Sequence, residues 1–136
     1  PGMKILQFAF YDEDSEYLPR IYDTKNCVVY VSSHDSDCTR TWLKNLTGEA
    51  KRRFNKECPR NKEQSRTEDL IEFAFRSIAN LAVVPMQDYL ELGAEGRMNS
   101  PGTLSVKNWT WRAKPGCITE ELTERILATT RRYGRA

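Results

Sequence analysis

Three short apolar runs stand out along the chain, at residues 4–10, 27–32 and 81–86. Each is continuous rather than alternating. A half-exposed strand alternates with period two, so continuity predicts strands covered on both faces, as in a parallel sheet. Each run also gives way to a polar cluster. Asp12, Glu13 and Asp14 follow the first, His34, Asp35, Ser36 and Asp37 the second, and Gln87 and Asp88 the third. In parallel α/β folds, ligands bind beyond the carboxyl ends of the strands. Acids also punctuate ordinary turns. Three clusters in phase nevertheless predict one wall of an active site.

Helical patterns fill much of the rest. Ser65 and Glu68 have capping-box spacing, and Leu70, Ile71, Ala74, Phe75 and Ile78 then share one helical face. A final helix starts near Thr119, with Glu120 and Glu121 in its first turn, Arg131 and Arg132 near its end and Gly134 just beyond. Its apolar face is Leu122, Ile126, Leu127 and Tyr133. A charged helix is predicted over about residues 48–57, and the polar stretch 58–64, with Pro59, reads as a loop. Residues 11–26 show no helical period. They fit a hairpin loop, and they are just long enough for a crossover. Residues 92–114 form a long Gly- and Pro-containing loop carrying Trp109 and Trp111.

Composition narrows the function classes. The 136 residues suffice for one modest domain with a core. A net charge of +2 is too small to argue for a nucleic-acid partner. The basic clusters at Lys51, Arg52, Arg53 and at Arg131, Arg132 sit among acids on helix-like segments and read as solvated faces. No apolar run is long enough to span a membrane. Pro1 rather than Met opens the sequence, which suggests a piece of a longer chain, and no secretory leader is read. Cys27, Cys38, Cys58 and Cys117 form no Cys-x-x-Cys pair and His34 is the single histidine, so a zinc site has little support. Free thiols in a reducing, cytoplasmic compartment are expected.

Two constellations could carry chemistry. His34 and Asp35 follow directly on the second run and both hydrogen-bond sugar hydroxyls well. A lone His-Asp pair is also common in surface turns. The loop from Gly93 to Arg112 combines Arg97, Asn99, Asn108, Trp109 and Trp111, a mixture suited to the apolar faces and hydroxyl rims of pyranose rings. The two tryptophans could equally be core anchors. Asp12, Glu13, Asp14 and Glu16 resemble the start of a calcium loop but lack its glycine and terminal glutamate.

Taken together, several segments carry a family likeness. These are residues 1–10; Leu18 and Pro19; Val28, Val29 and Tyr30 leading to His34, Asp35, Asp37 and Thr39; Pro85, Gln87 and Asp88; Leu92, Gly93, Glu95, Arg97, Met98, Asn99, Pro101 and Gly102; and Asn108, Trp109, Trp111 and Arg112. On these residues the chain resembles the C-terminal part of the 4-α-glucanotransferases, also called amylomaltases or disproportionating enzymes, of the α-amylase-like clan. The resemblance implies an α/β fold, the last three strand units of a (β/α)8 TIM barrel, with residues 1–136 a C-terminal fragment of its catalytic domain. It implies that Asp35 is the third catalytic carboxylate, with His34 beside it, both hydrogen-bonding the sugar being cleaved. Asn99 matches a residue at the substrate groove, and Asp12 and Phe8 match positions lining the acceptor side. The implied partners are a maltooligosaccharide or α-1,4-glucan and the remainder of the chain's own barrel. No cofactor and no metal are implied.

Some positions depart from the family pattern. Ser33 and Ser36 stand where Thr and Asn are usual around His34-Asp35, and Cys38 precedes Thr39. Arg20 replaces a common His, and Gly96 replaces a usual Ala. A retaining enzyme needs a nucleophile and an acid/base carboxylate about 5 Å apart. By the resemblance both lie before Pro1, so the chain alone is expected to be inactive. A self-standing glucan-binding module is the competing reading.

Overall fold

The computed structural model describes residues 2–136; Pro1, which opens the first family-like segment, lies outside the described residues. Three strands, β1 (Gly2–Ile5), β2 (Cys27–Tyr30) and β3 (Leu81–Val83), form a parallel sheet in the order β1-β2-β3. Met3, Val28 and Leu81 stand in one register row, and Ile5, Tyr30 and Val83 in another. The α/β class and the parallel sheet expected from the three apolar runs are present. The parallel pairing of β1 with β2 makes residues 11–26 a crossover and not a hairpin loop.

All three strands end before the runs that announced them. After Ile5 the chain turns into a 3-10 helix over Leu6–Phe8, which buries Gln7 so that its Nε2 donates to the Asp37 carbonyl at 2.8 Å. The third run breaks at Pro85, whose ring lacks an N–H, and continues as the short helix α4 (Met86–Tyr89). β2 continues in part, since the Val31 N–H still donates to the Val83 carbonyl.

Helices α1 (Thr39–Asn45), α2 (Gly48–Glu57) and α3 (Arg66–Phe75) cover one face of the sheet. Phe10, Trp42, Phe54 and Phe73 meet there with Val29, Leu70 and Ala74. α3 carries the expected capping box, Ser65 accepting from the Glu68 N–H and Glu68 from the Ser65 N–H. It ends one turn early, which leaves Ile78 exposed and outside the predicted face. The helix α1 has no strong apolar period and was not expected. The final helix, α5 (Glu120–Arg132), starts at the Thr119 cap as expected. It buries Leu122 but leaves Leu127 exposed, because ion pairs of Arg125 with Glu68 and Arg132 with Glu72 seat it on α3.

Within the described residues, the expected cover on both faces is met on one face only. Alternation puts Met3, Ile5, Val28, Tyr30, Leu81 and Val83 on the face away from the helices. Met3 is 59% and Leu81 57% exposed. Three strands cannot close on themselves, so nothing within the described residues reaches the outer part of that face. Among the described residues, no helix is long and apolar enough to cross a membrane.

Candidate active site

β2 delivers the chain to a tight turn at its carboxyl end. The Ser36 hydroxyl closes this turn from both sides, accepting from the Ser33 N–H at 2.9 Å and donating to the Ser33 carbonyl at 3.1 Å. Ser36 is thus the turn-closing group. His34 and Asp35 project from the turn, with side chains 58% and 47% exposed and Nε2 3.4 Å from Oδ2.

The long loop folds back onto this turn. The Asn99 amide donates to Asp35 Oδ1 at 2.7 Å, and the Asn99 N–H to the His34 carbonyl at 3.0 Å. Arg97 ties the two segments together. Its guanidinium pairs with Asp37 and donates to the Asp35 carbonyl at 3.0 Å, while its Nε donates to the Asn99 carbonyl at 2.8 Å. The Trp109 ring lies 5.1 Å from the imidazole of His34. Trp109 is thus at the site and mostly outside the core, whereas Trp111 is half-buried elsewhere in the loop.

An open cavity of about 520 Å³ lies before the turn. His34, Asp35 and Arg97 contribute polar groups to its lining, and Phe8, Tyr30 and Val83 apolar ones. The structure therefore brings His34, Asp35 and Phe8 to one cavity, with Asn99 against Asp35. Asp12 does not line it. Its carboxylate accepts from the Asp14 N–H in an exposed turn, beside a small cleft with Arg53 and Lys56. Arg20 donates to the Glu13 carbonyl at 2.6 Å and pairs with Glu57.

The three acid clusters are not equivalent. Asp88 is 1% exposed and faces inward. It accepts from the Ser32 hydroxyl at 2.5 Å and from the Thr39 N–H at 2.7 Å. It thereby caps α1, whose own N-cap residue, Cys38, offers no side-chain bond. Burial pushes the Asp88 carboxyl above its ordinary range, and the hydrogen bonds from Ser32 and Thr39 pull it back in part. Only the second cluster presents carboxylate oxygen to the cavity. Cys38 also lines it, but burial foremost, then the charges of Asp88, Glu95 and Asp37, push its thiol up to about 11. It is protonated at neutral pH and is no nucleophile.

The sequence placed Asp88 among the strand-end acids and Arg97 in the aromatic loop, but did not show the partners through which they act. Both act through partners far along the chain, and an ion pair across 60 residues leaves no local pattern. All four cysteines are free.

Comparison with known proteins adds a consistent picture. A family model described as 4-alpha-glucanotransferase matches residues 1–119. The chain is 44% identical to a 4-alpha-glucanotransferase of Clostridium butyricum, over 99% of this chain and 28% of that protein. It is 43% identical to one of Aquifex aeolicus, over 84% of this chain and 23% of that protein. An amylomaltase from Streptococcus agalactiae in complex with acarbose superposes with a TM-score of 0.93 at 33% identity, covering 100% of this chain and 28% of that one. The chain thus spans about a quarter of the length of the relatives it matches.

Proposed function

The chain belongs to the 4-alpha-glucanotransferase family, and from that membership we propose that it is the C-terminal part of a catalytic (β/α)8 barrel, its last three strand units. The whole enzyme transfers α-1,4-glucan segments between maltooligosaccharides. The carrying observation is the Asp35 carboxylate at the end of β2, oriented by Asn99 at 2.7 Å and flanked by His34. The carboxyl ends of parallel barrel strands are where such enzymes build their sites. The open apolar face of Met3, Val28, Tyr30 and Leu81 supports the remainder of the barrel as the chain's structural partner. The acarbose bound to the amylomaltase neighbour supports an α-glucan substrate. The four free thiols support a reducing, cytoplasmic setting.

In this reading the nucleophile and the acid/base carboxylate stand on other strands, about 5 Å apart across the scissile bond. Asp35 does a third task. Asn99 occupies one of its oxygens and fixes the plane of the carboxylate. Asp35 and His34 then bind hydroxyls of the sugar under attack. Those bonds strengthen as the ring flattens towards an oxocarbenium ion, and transition-state-selective bonds are the ones that raise turnover. Phe8 supplies an apolar wall on the acceptor side. Asp12 stands farther out and meets the acceptor only if the chain extends past Phe8. Transfer follows when an acceptor 4-hydroxyl captures the glycosyl-enzyme before water does. This chemistry calls for no cofactor and no metal.

The test is incubation of the full-length protein with maltotriose. Glucose together with longer maltooligosaccharides is the expected product set. Hydrolysis without chain lengthening, or no reaction, would refute the transferase reading.

A further inference from the structure

The His34 imidazole is held from two directions. Its Nε2 meets the Asp35 carboxylate at 3.4 Å, and its ring meets the Trp109 indole at 5.1 Å between centroids, tilted by 39°. Among the described residues, Asp35 provides its only side-chain ion pair or hydrogen bond. A half-exposed ring held at one nitrogen still turns about that contact. An aromatic ring set against it removes that freedom.

Trp109 is an unusual residue to find there. Its φ is 64°, in the left-handed region that strains a bulky L-residue. Burial does not repay the strain, since Trp109 is 54% exposed. The backbone is nonetheless pinned on both sides. The Trp109 N–H donates to the Met98 carbonyl at 2.8 Å, and its carbonyl accepts from Arg112 at 3.0 Å. Asn99, the residue after Met98, donates its N–H to the His34 carbonyl. The loop is therefore bolted to the turn that carries His34, and the strained residue delivers a ring onto the imidazole. Glycine would take this backbone shape with less strain, and would leave the imidazole bare.

We propose that Trp109 is a positioning residue for His34, fixing the orientation in which the imidazole meets the sugar beside Asp35. The proposal rests on the transferase reading above. It assigns Trp109 a role in turnover that acts through His34.

The experiment compares full-length wild type with Trp109→Gly, Trp109→Phe, His34→Ala and the Trp109→Gly/His34→Ala double variant. It reads kcat and KM on maltotriose and the thermal midpoint. Trp109→Gly is expected to lower kcat roughly tenfold to a hundredfold, with KM little changed. Its thermal midpoint is expected to hold or rise, because the strain is relieved. Phe at 109 is expected to restore most of the turnover. In the His34→Ala background, Trp109→Gly is expected to cost nothing further. Three results would overturn the proposal: wild-type kcat in Trp109→Gly, a loss confined to KM, or losses that multiply in the double variant. A wild-type enzyme without transfer overturns the parent reading as well. Transfer by wild type with an indifferent Trp109→Gly overturns this proposal alone.

Discussion

Asn99 lies 64 residues beyond Asp35, yet its amide nitrogen donates to Asp35 Oδ1 at 2.7 Å. The contact orients a half-exposed carboxylate that neighbouring loops do not bury. Replacing Asp35 by Asn keeps an acceptor for Asn99 and removes the charge proposed above to bind the flattening sugar. Asp35→Asn in the full-length enzyme is therefore expected to lower kcat by about 10²–10³. The thermal midpoint should stay unchanged. Glucose release from maltotriose at near wild-type rate would exclude Asp35 from the chemistry.

The isolated chain is expected to be inactive and poorly behaved. Asp35 has no second carboxylate opposite it among the residues lining its cavity. The face carrying Met3 and Leu81 is open to solvent, and β1 and β3 both present an unpaired edge. Purified residues 1–136 should release no glucose from maltotriose and should bind a hydrophobic dye. A sharp unfolding transition of a monomer without dye binding would count against this.

How much of this was legible in the sequence depends on how far each interaction reaches. The Ser65–Glu68 capping box and the Thr119 cap are local, and both sit where the pattern put them. The parallel sheet followed from three continuous apolar runs. The end of β1 did not, because residues 4–10 are equally apolar on either side of the turn at Leu6, and the burial of Gln7 against Asp37 decides it. α1 was invisible because its cap is Asp88, 49 residues downstream. The same contact explains why Asp88, expected with Gln87 on the wall of the active site, is buried instead. His34 and Asp35 were marked by their place at a strand end and Asn99 by the chemistry of its loop, and the resemblance added their roles. The local chemistry of the His-Asp pair alone would have left that pair in an ordinary turn.

Asp88 carries a pH signature. Burial raises its carboxyl above the ordinary 3.8, against the pull of its hydrogen bonds. Between those two values the folded protein binds more protons than the unfolded chain. The stability this group contributes is full below the unfolded value and is lost as pH rises through the folded one. The thermal midpoint of wild type relative to Asp88→Asn should therefore fall as pH is raised from about 4. Asp88→Ala leaves the Ser32 hydroxyl and the Thr39 N–H without their acceptor, at a cost of about 1–3 kcal/mol. A difference that is flat with pH would exclude the raised carboxyl.

Gly96 is fixed by packing and not by backbone conformation. A β-carbon there would lie 2.8 Å from Leu92 Cβ and 3.0 Å from Cys38 Sγ. Alanine is therefore expected to be unwelcome at this place in the chain. Gly96→Ala should destabilise by about 1–3 kcal/mol, read as a fall in the denaturant midpoint. Pairing it with Cys38→Ala should recover only part of the loss, since the backbone-attached Leu92 carbon is the closer neighbour. Unchanged stability of Gly96→Ala would show that the α4-to-loop connection yields freely.

Arg97 offers the sharpest separation of charge from geometry. Its guanidinium serves Asp37, the Asp35 carbonyl and the Asn99 carbonyl at once, so it joins the turn that carries the carboxylate to the loop that orients it. A lysine keeps the charge and the Asp37 pair, but a single ammonium cannot span three acceptors. Arg97→Lys is therefore expected to behave like Arg97→Met in turnover, each lowering kcat by roughly tenfold or more. The two should differ in stability, Lys retaining part of an ion pair that is only partly screened from solvent. If Lys restored full turnover, charge at Asp37 would be the requirement and the three-way tether would not. If both variants kept wild-type kcat, the Asp35–Asn99 contact would be self-sufficient.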